Sequence, residues 1–285
     1  MKYLKKYKLF EDFNESNIHY ICKKYGIKNY TINVDGSIDV DGNIDLSYGD
    51  LTKLPLRFRN VSGDFDCYNN QLINLEGAPS KVGGDFYCYN NQLTSLEGSP
   101  SSVSGDFSCR DNQLTSLEGA PESVGGGFYC YNNQLTSLEG APSSVSGGFH
   151  CYNNQLTSLE GAPSKVGGLF DCRNNQLTSL EGAPSKVGGL FDCRNNQLTS
   201  LEGLEWKSFG IINLINNPVY EIVKDWINNE DLTDLIEYFI DMNVIQEGEL
   251  KPKLILTRLE AFYEDMELKM KINFKDVKKY YEIIK

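Results

Sequence analysis

Seven cysteines, Cys67, Cys88, Cys109, Cys130, Cys151, Cys172 and Cys193, stand 21 residues apart without a slip. A period of that length marks a solenoid, in which each copy is one structural unit that buries its apolar side only against its neighbours. The copies read VxGxFxCxxNxLxxLEGxP, from Phe65, Asn70, Leu72 and Leu75 to Phe191, Asn196, Leu198 and Leu201. The stretch PSKVGGLFDCRNNQLTSLEG occurs twice unchanged, starting at Pro163 and Pro184, as after a recent duplication. Upstream, Ile44, Leu46, Leu51 and Leu54 continue the apolar frame with Gly49 in the asparagine slot, and downstream Ile212, Leu214 and Asn217 do so.

The segment FxCxxNxLxxL resembles the leucine-rich repeat core LxLxxNxLxxL, with Phe and Cys in two leucine positions. The resemblance covers about residues 44 to 217 and implies a leucine-rich repeat solenoid of the short bacterial and phage type, a right-handed coil with a curved parallel β-sheet. Within such a strand, period-2 alternation turns Phe86 and Cys88 inward and Asp85, Tyr87 and Tyr89 outward. Val82, Leu93 and Leu96 complete the inward set of that copy. The return segment TSLEGAPSKVGG carries Gly and Pro where a helix needs Ala or Leu, so the convex side is expected to be irregular and free of α-helices.

Columns held constant from copy to copy are those that stacking demands. Asn70, Asn91, Asn112, Asn133, Asn154, Asn175, Asn196 and Asn217 sit where the chain leaves the strand, and their amides carry donors and acceptors for orphaned backbone groups. Gly84 and Gly98 provide positive φ or close approach of neighbouring turns. The cysteines read as buried small hydrophobes, because in-register Cβ vectors run parallel and a line of sulfurs cannot converge tetrahedrally on zinc. His150 and Cys151 are adjacent in a strand and face opposite sides; His19 and Cys22 share a helical spacing that reads as packing. Glu76, Glu97, Glu118, Glu139, Glu160, Glu181 and Glu202 form a solvated ladder in which neighbours repel by just under ~1 kcal/mol before screening, with Lys81, Lys165 and Lys186 nearby.

Composition narrows the function. The 285 residues carry a net charge of −12 and a pI near 4.7, which argues against a nucleic-acid or anionic-membrane partner. Only His19 and His150 are histidines, too few for most metal or triad chemistry. No cofactor, metal or catalytic residue is expected, and the chain reads as a non-enzyme. No stretch approaches the roughly 18 apolar residues of a membrane span, and the basic N-terminus lacks the apolar core of a secretory signal. With eight cysteines and no such signal, a reducing, cytoplasmic compartment is expected.

Recognition belongs on outward positions that vary between copies. The residue before Phe reads Asp64, Asp85, Asp106, Gly127, Gly148, Leu169, Leu190; the one between Phe and Cys reads Asp66, Tyr87, Ser108, Tyr129, His150, Asp171, Asp192; the one after Cys reads Tyr68, Tyr89, Arg110, Tyr131, Tyr152, Arg173, Arg194. Tyrosine offers stiff amphipathic area and arginine a planar fork, as hot spots and paratopes favour. Stacking along the sheet is the competing structural role. The face is graded: acidic first, aromatic in its middle, and with Asp171, Arg173, Asp192 and Arg194 able to pair at the far end. This suits a folded protein or a peptide. A glycan or receptor is the alternative ligand, and an effector activity in the C-terminal region is the third reading.

The ends complete the expected division: an arm over residues 1–13, a cap over 14–43, the solenoid over 44–217 and a helical cap over 218–285. Ser16 is placed to N-cap a helix bearing Ile18, Ile21, Cys22 and Tyr25 and ended by Gly26, before short strands joined by Asp-Gly turns. Asn217 and Pro218 read as an N-cap and N1 pair, Val219, Ile222, Val223, Trp226 and Ile227 as one helical face, and Leu232, Leu235, Ile236, Phe239 and Ile240 as another. Further helices are expected over about 253–268 and 274–284. GSIDVDGNIDLS, LTSLEGAP and NPVYEIV are similar to segments of uncharacterised leucine-rich repeat proteins of tailed phages, which implies origin and shape more than activity; for a phage-borne gene a host factor is the expected partner. KLFEDFNE resembles leaders cut by phage prohead proteases after Leu or Ile, any residue, then Glu; Leu9, Phe10 and Glu11 fit, and a virion association would follow, but Leu235 to Glu237 and Ile245 to Glu247 fit too and a plain amphipathic arm is the first reading.

Overall fold

A computed structural model describes residues 15–203, 211–227 and 232–285. The expected N-terminal arm and its Leu9, Phe10 and Glu11 lie outside the described residues. The Phe-bearing segments form a nine-stranded sheet in which chain order equals spatial order, from Ile44–Asp45 through Phe65–Asp66 and Phe86–Tyr87 to Ile211–Asn213. Every pairing is parallel and in register, Phe65 with Phe86, Phe86 with Phe107, Phe128 with Phe149. Phe, Cys and both leucines of each copy are buried, at roughly 1.5 to 3 kcal/mol for each large side chain. From Phe65 to Phe170 the rings stack with centroids 5.1 to 5.7 Å apart, as the parallel register imposes.

The return segment is not irregular. Lys81–Val82, Ser102–Val103, Ser123–Val124 and their equivalents as far as Lys186–Val187 pair in parallel, forming a second nine-stranded sheet begun by Tyr30–Ile32, Ile38–Val40 and Phe58–Val61. Val faces the core, and its Lys or Ser neighbour is exposed or half-buried. The close-packed glycines allow this. A Cβ on Gly83 would lie 2.2 Å from Ser62 O, and one on Gly84 2.0 Å from Asp64 Oδ1. Gly98 serves differently, with φ +90°. No α-helix interrupts the repeats among the described residues.

The asparagine column joins the turns. Asn154 Nδ2 donates to Cys130 O (3.1 Å) and Cys151 O (3.0 Å), while its Oδ1 accepts from Leu135 N (3.0 Å). The same set recurs at Asn91, Asn112 and Asn175. Asn217 belongs to this ladder, accepting from Leu198 N and donating to Cys193 O, so it is not the helix cap its Pro218 neighbour suggests. The next helix, Tyr220–Val223, starts after Val219 and has no side-chain cap bond. Beside the column runs a second one in left-handed conformation, Asn69, Asn90, Asp111, Asn132, Asn153, Asn174, Asn195 and Asn216, with φ between 53° and 63°. Its side chains link turn to turn, as in Asn153 Nδ2 to Asn132 Oδ1 at 2.8 Å.

The ends differ from expectation in detail. The first helix, Glu15–Lys24, already includes Ser16, which therefore does not cap it; Ile18 and Cys22 are buried and Gly26 ends the turn at φ +68°. The segment after residue 217 is mixed rather than helical. Helices Leu232–Asp241, Leu256–Asp265 and Phe274–Val277 accompany a three-stranded sheet of Ile245–Gln246, Lys253–Ile255 and Glu282–Ile284. The helix expected over 274–284 stops because Ile283 and Ile284 pair with Leu254 and Ile255, as β-branched residues favour. Val219, Ile222, Val223, Trp226 and Ile227 are buried together, whereas Ile240 is exposed. Tyr281 Oη donates to Thr199 O at 2.7 Å, tying this segment to the last repeats. No helix among the described residues is long and apolar enough to cross a membrane.

The asparagine geometry gives an expected outcome. Asn154→Ala removes four side-chain bonds inside the stack and leaves buried backbone groups unsatisfied, so chemical denaturation should show a loss of about 2 to 4 kcal/mol. A loss no larger than that of an exposed Gln155→Ala control would contradict the ladder's role.

Candidate functional site

The outward face of the Phe sheet carries three parallel columns. Along the column after Cys, registration at about 4.8 Å brings each side chain onto the next. Tyr68 stacks on Tyr89 (centroids 4.5 Å, 9° apart) and Tyr131 on Tyr152 (4.2 Å, 11°). Arg110 bridges the two pairs, its guanidinium carbon 3.8 Å from the Tyr89 centroid and 5.6 Å from that of Tyr131, while it also pairs with Asp111. Arg173 covers the far side of Tyr152 at 4.5 Å. The stacking role and the expected recognition role thus fall on the same side chains.

In the column before Phe, the carboxylates are engaged by the backbone. Asp64 Oδ1 accepts from Asp85 N (2.9 Å), Asp85 Oδ1 from Asp106 N (2.7 Å) and Asp106 Oδ1 from Gly127 N (2.6 Å). Asp85 also receives the Tyr87 hydroxyl at 2.8 Å; burial first, and then this bond, raise the Tyr87 pKa. Where the column turns to glycine, rings fill the space. A Cβ on Gly127 would lie 2.7 Å from Tyr129 Oη, and one on Gly148 2.7 Å from His150 Nε2.

The column between Phe and Cys is flanked on both sides and is the most recessed. Tyr129 and His150 stack at 4.9 Å. Asp171 and Asp192, expected to face a partner, are only 2% exposed, as Ser108 is 4%. Arginines lie over them. Arg194 binds Asp192 through Nε (2.9 Å to Oδ1) and Nη2 (2.7 Å to Oδ2), and Arg173 stands 3.6 Å from Asp171 and 3.8 Å from Asp192. Burial raises the Asp171 pKa to about 6 against the pull of Arg173. Burial and Arg173 lower that of His150, which is neutral at pH 7, so its 4.0 Å approach to Asp171 is not an ion pair there.

Among the described residues, no arginine covers Asp66 in this way. Its Oδ1 is buried without a hydrogen-bond partner, and burial, with the charges of Asp45, Asp64 and Asp85, raises its pKa to about 6.

The inward thiols are set for packing. All eight cysteines are free and buried, and burial drives the thiols of the repeat column far above their ordinary pKa. No group of three His, Cys, Asp or Glu side chains among the described residues could hold a metal ion. His19 turns from Cys22 to Tyr30, with Nδ1 and the hydroxyl 2.5 Å apart. The glutamates from Glu76 to Glu202 are exposed. Sequence reasoning missed the left-handed Asn69 to Asn216 column beside the face. Its signal was the repeated Asn-Asn pair, since Asn tolerates positive φ better than other residues with a Cβ.

Thiol burial makes the cysteines inert: none of the eight should react with an aromatic disulfide reagent in the folded chain, and all should react after denaturation. For Asp66, a folded-state pKa of about 6 against about 3.9 unfolded means that ionisation opposes folding as pH rises through that interval. Asp66→Asn should therefore raise the melting temperature at pH 7.5, with the gain shrinking as pH falls through 6 and gone near 4. A gain independent of pH would show that charge is not its cause.

No family model matches the chain, and no curated protein does. Among solved structures it is similar to YopM from Yersinia enterocolitica WA-314, with 18% identity and a TM-score of 0.40 over 61% of this chain and 47% of that one. The chain thus spans about half the length of that structure.

Proposed function

We propose that the chain is a non-catalytic interaction module that binds a partner protein through the outward face of the Phe sheet. One observation carries this reading: positions that stacking leaves free to vary hold a continuous pile of Tyr68, Tyr89, Arg110, Tyr131, Tyr152 and Arg173. Large side chains already fixed in place lose little entropy on binding, which is how a rigid paratope gains affinity. The same pile disfavours a glycan. A sugar packs on an open ring face, and both faces of Tyr89 and Tyr152 are covered by Tyr68 and Arg110 and by Tyr131 and Arg173.

In this reading residues 14–43 and 218–285 close the ends of the repeats, a role supported by the Tyr281 to Thr199 bond. The partner is a bacterial host protein met in the cytoplasm; that part rests on sequence resemblance to tailed-phage proteins alone, as does any association with the virion. The test is capture from host lysate by the immobilised full chain. Replacing Tyr131, Tyr152 and Arg173 together by Ala should weaken retention of a specific partner by at least about 2 kcal/mol, or roughly thirtyfold. Equal retention by a variant that folds normally by circular dichroism would refute the assignment of this face.

A further inference from the structure

We infer that the N-terminal end of this face receives an arginine side chain of the partner, its guanidinium against Asp66 and beside the ring of Tyr68. The inference rests on the reading of the face as a protein-binding surface and adds the chemistry of one contact.

The molecule supplies its own comparison, because the repeats place equivalent residues in equivalent surroundings. Two later copies read Asp171-Cys172-Arg173 and Asp192-Cys193-Arg194. In both, the central-column aspartate lies under a guanidinium, and at Asp192 the contact is two-pronged, through Nε at 2.9 Å and Nη2 at 2.7 Å. The first copy reads Asp66-Cys67-Tyr68. Asp66 occupies the same column, but the rim residue two positions on is a tyrosine, and among the described residues no cation takes the arginine's place. The carboxylate is left with a buried, unpartnered oxygen, and the charges that bear on it, Asp45, Asp64 and Asp85, are all negative. Within one sheet, then, the same position is filled by an arginine at the far end and lacks one at the near end.

The rim shows how an incoming guanidinium would lie. Arg110 packs on the Tyr89 ring at 3.8 Å while it pairs with a carboxylate. Tyr68 is stacked on Tyr89 through one face, and on its other side stands the exposed ring of Tyr48, edge-on at 5.6 Å and 80°, which an incoming guanidinium would displace. Charge complementarity requires a cation here, and the combination of a flat ring with a recessed carboxylate favours arginine over lysine. A planar fork can stack and donate two bonds at once, whereas an ammonium group is a strongly hydrated point charge.

The experiment uses the full chain and a fluorescent Gly-Ser peptide carrying several arginines, with matched peptides in which citrulline or lysine replaces each arginine. The arginine peptide should bind at least ~10-fold more tightly than the citrulline one and several-fold more tightly than the lysine one. Asp66→Asn should weaken arginine-peptide binding about tenfold, while Glu160→Gln, the same charge change on the exposed glutamate ladder, should leave it unaltered. Tyr68→Arg rebuilds the later Asp-Cys-Arg arrangement within the chain and should abolish binding by filling the site from inside. As a readout independent of any variant's folding, the Asp66 carboxyl titration in the unmodified chain, followed by NMR, should move to lower pH when the arginine peptide is added. Equal binding of the citrulline or lysine peptide, equal effects of Asp66→Asn and Glu160→Gln, unchanged affinity in Tyr68→Arg, or an unmoved titration would each overturn the inference. The two readings fail separately. A partner lost by the Tyr131, Tyr152 and Arg173 variant but kept by Asp66→Asn removes only the arginine contact, whereas a partner kept by both removes the face itself.

Discussion

The solenoid depends on one amide per turn. Each asparagine of the Asn70 to Asn217 column donates to carbonyls of its own turn and of the one before, and accepts the leucine N–H of that earlier turn. The chain leaves the sheet at this point and would otherwise strand buried backbone groups away from water. A hydrophobic column alone would tolerate small slips between turns. The amide does not, because its bonds to two turns are met together only in one register.

That register governs the outer surface as much as the interior. Phe stacks on Phe inside because equivalent atoms repeat at one strand spacing, and Tyr stacks on Tyr or Arg outside for the same reason. The backbone N–H groups beside the acidic end are likewise held by carboxylates of the previous turn. Side chains that on a loop would sample many rotamers are here parts of a ladder. The face is preorganised without support from a second layer of residues.

Much of this was legible in the sequence because the chain contains its own alignment. Period and column identity gave the inward Phe, Cys and Leu sets and the amide ladder. The second sheet was not legible within the repeats: there its strands are two residues long, too short for a periodic signal, and they lie amid Gly and Pro that read as a loop. On the face, alternation gave direction but not depth. It placed Asp171 and Asp192 outward correctly, yet could not show that a central column flanked by larger neighbours is buried while still pointing away from the core. Asn217 fits both the last rung of the ladder and a helix start, because Asn before Pro suits either, and of the two only the ladder holds. At the C-terminal end, Ile283 and Ile284 have a helix-compatible spacing, and only the distant Lys253–Ile255 strand makes them a β-pair.

The two identical stretches near the end of the repeats pair Lys165 with Lys186, Val166 with Val187 and Asp171 with Asp192 in register. A unit there therefore meets almost the same surface above as below. Unequal recombination between such units would insert or excise a whole rung and leave every inter-turn junction chemically unchanged. Rung number is then a quantity the packing leaves open, and lineages carrying this chain can lengthen or shorten its arginine-bearing end without inventing a new contact.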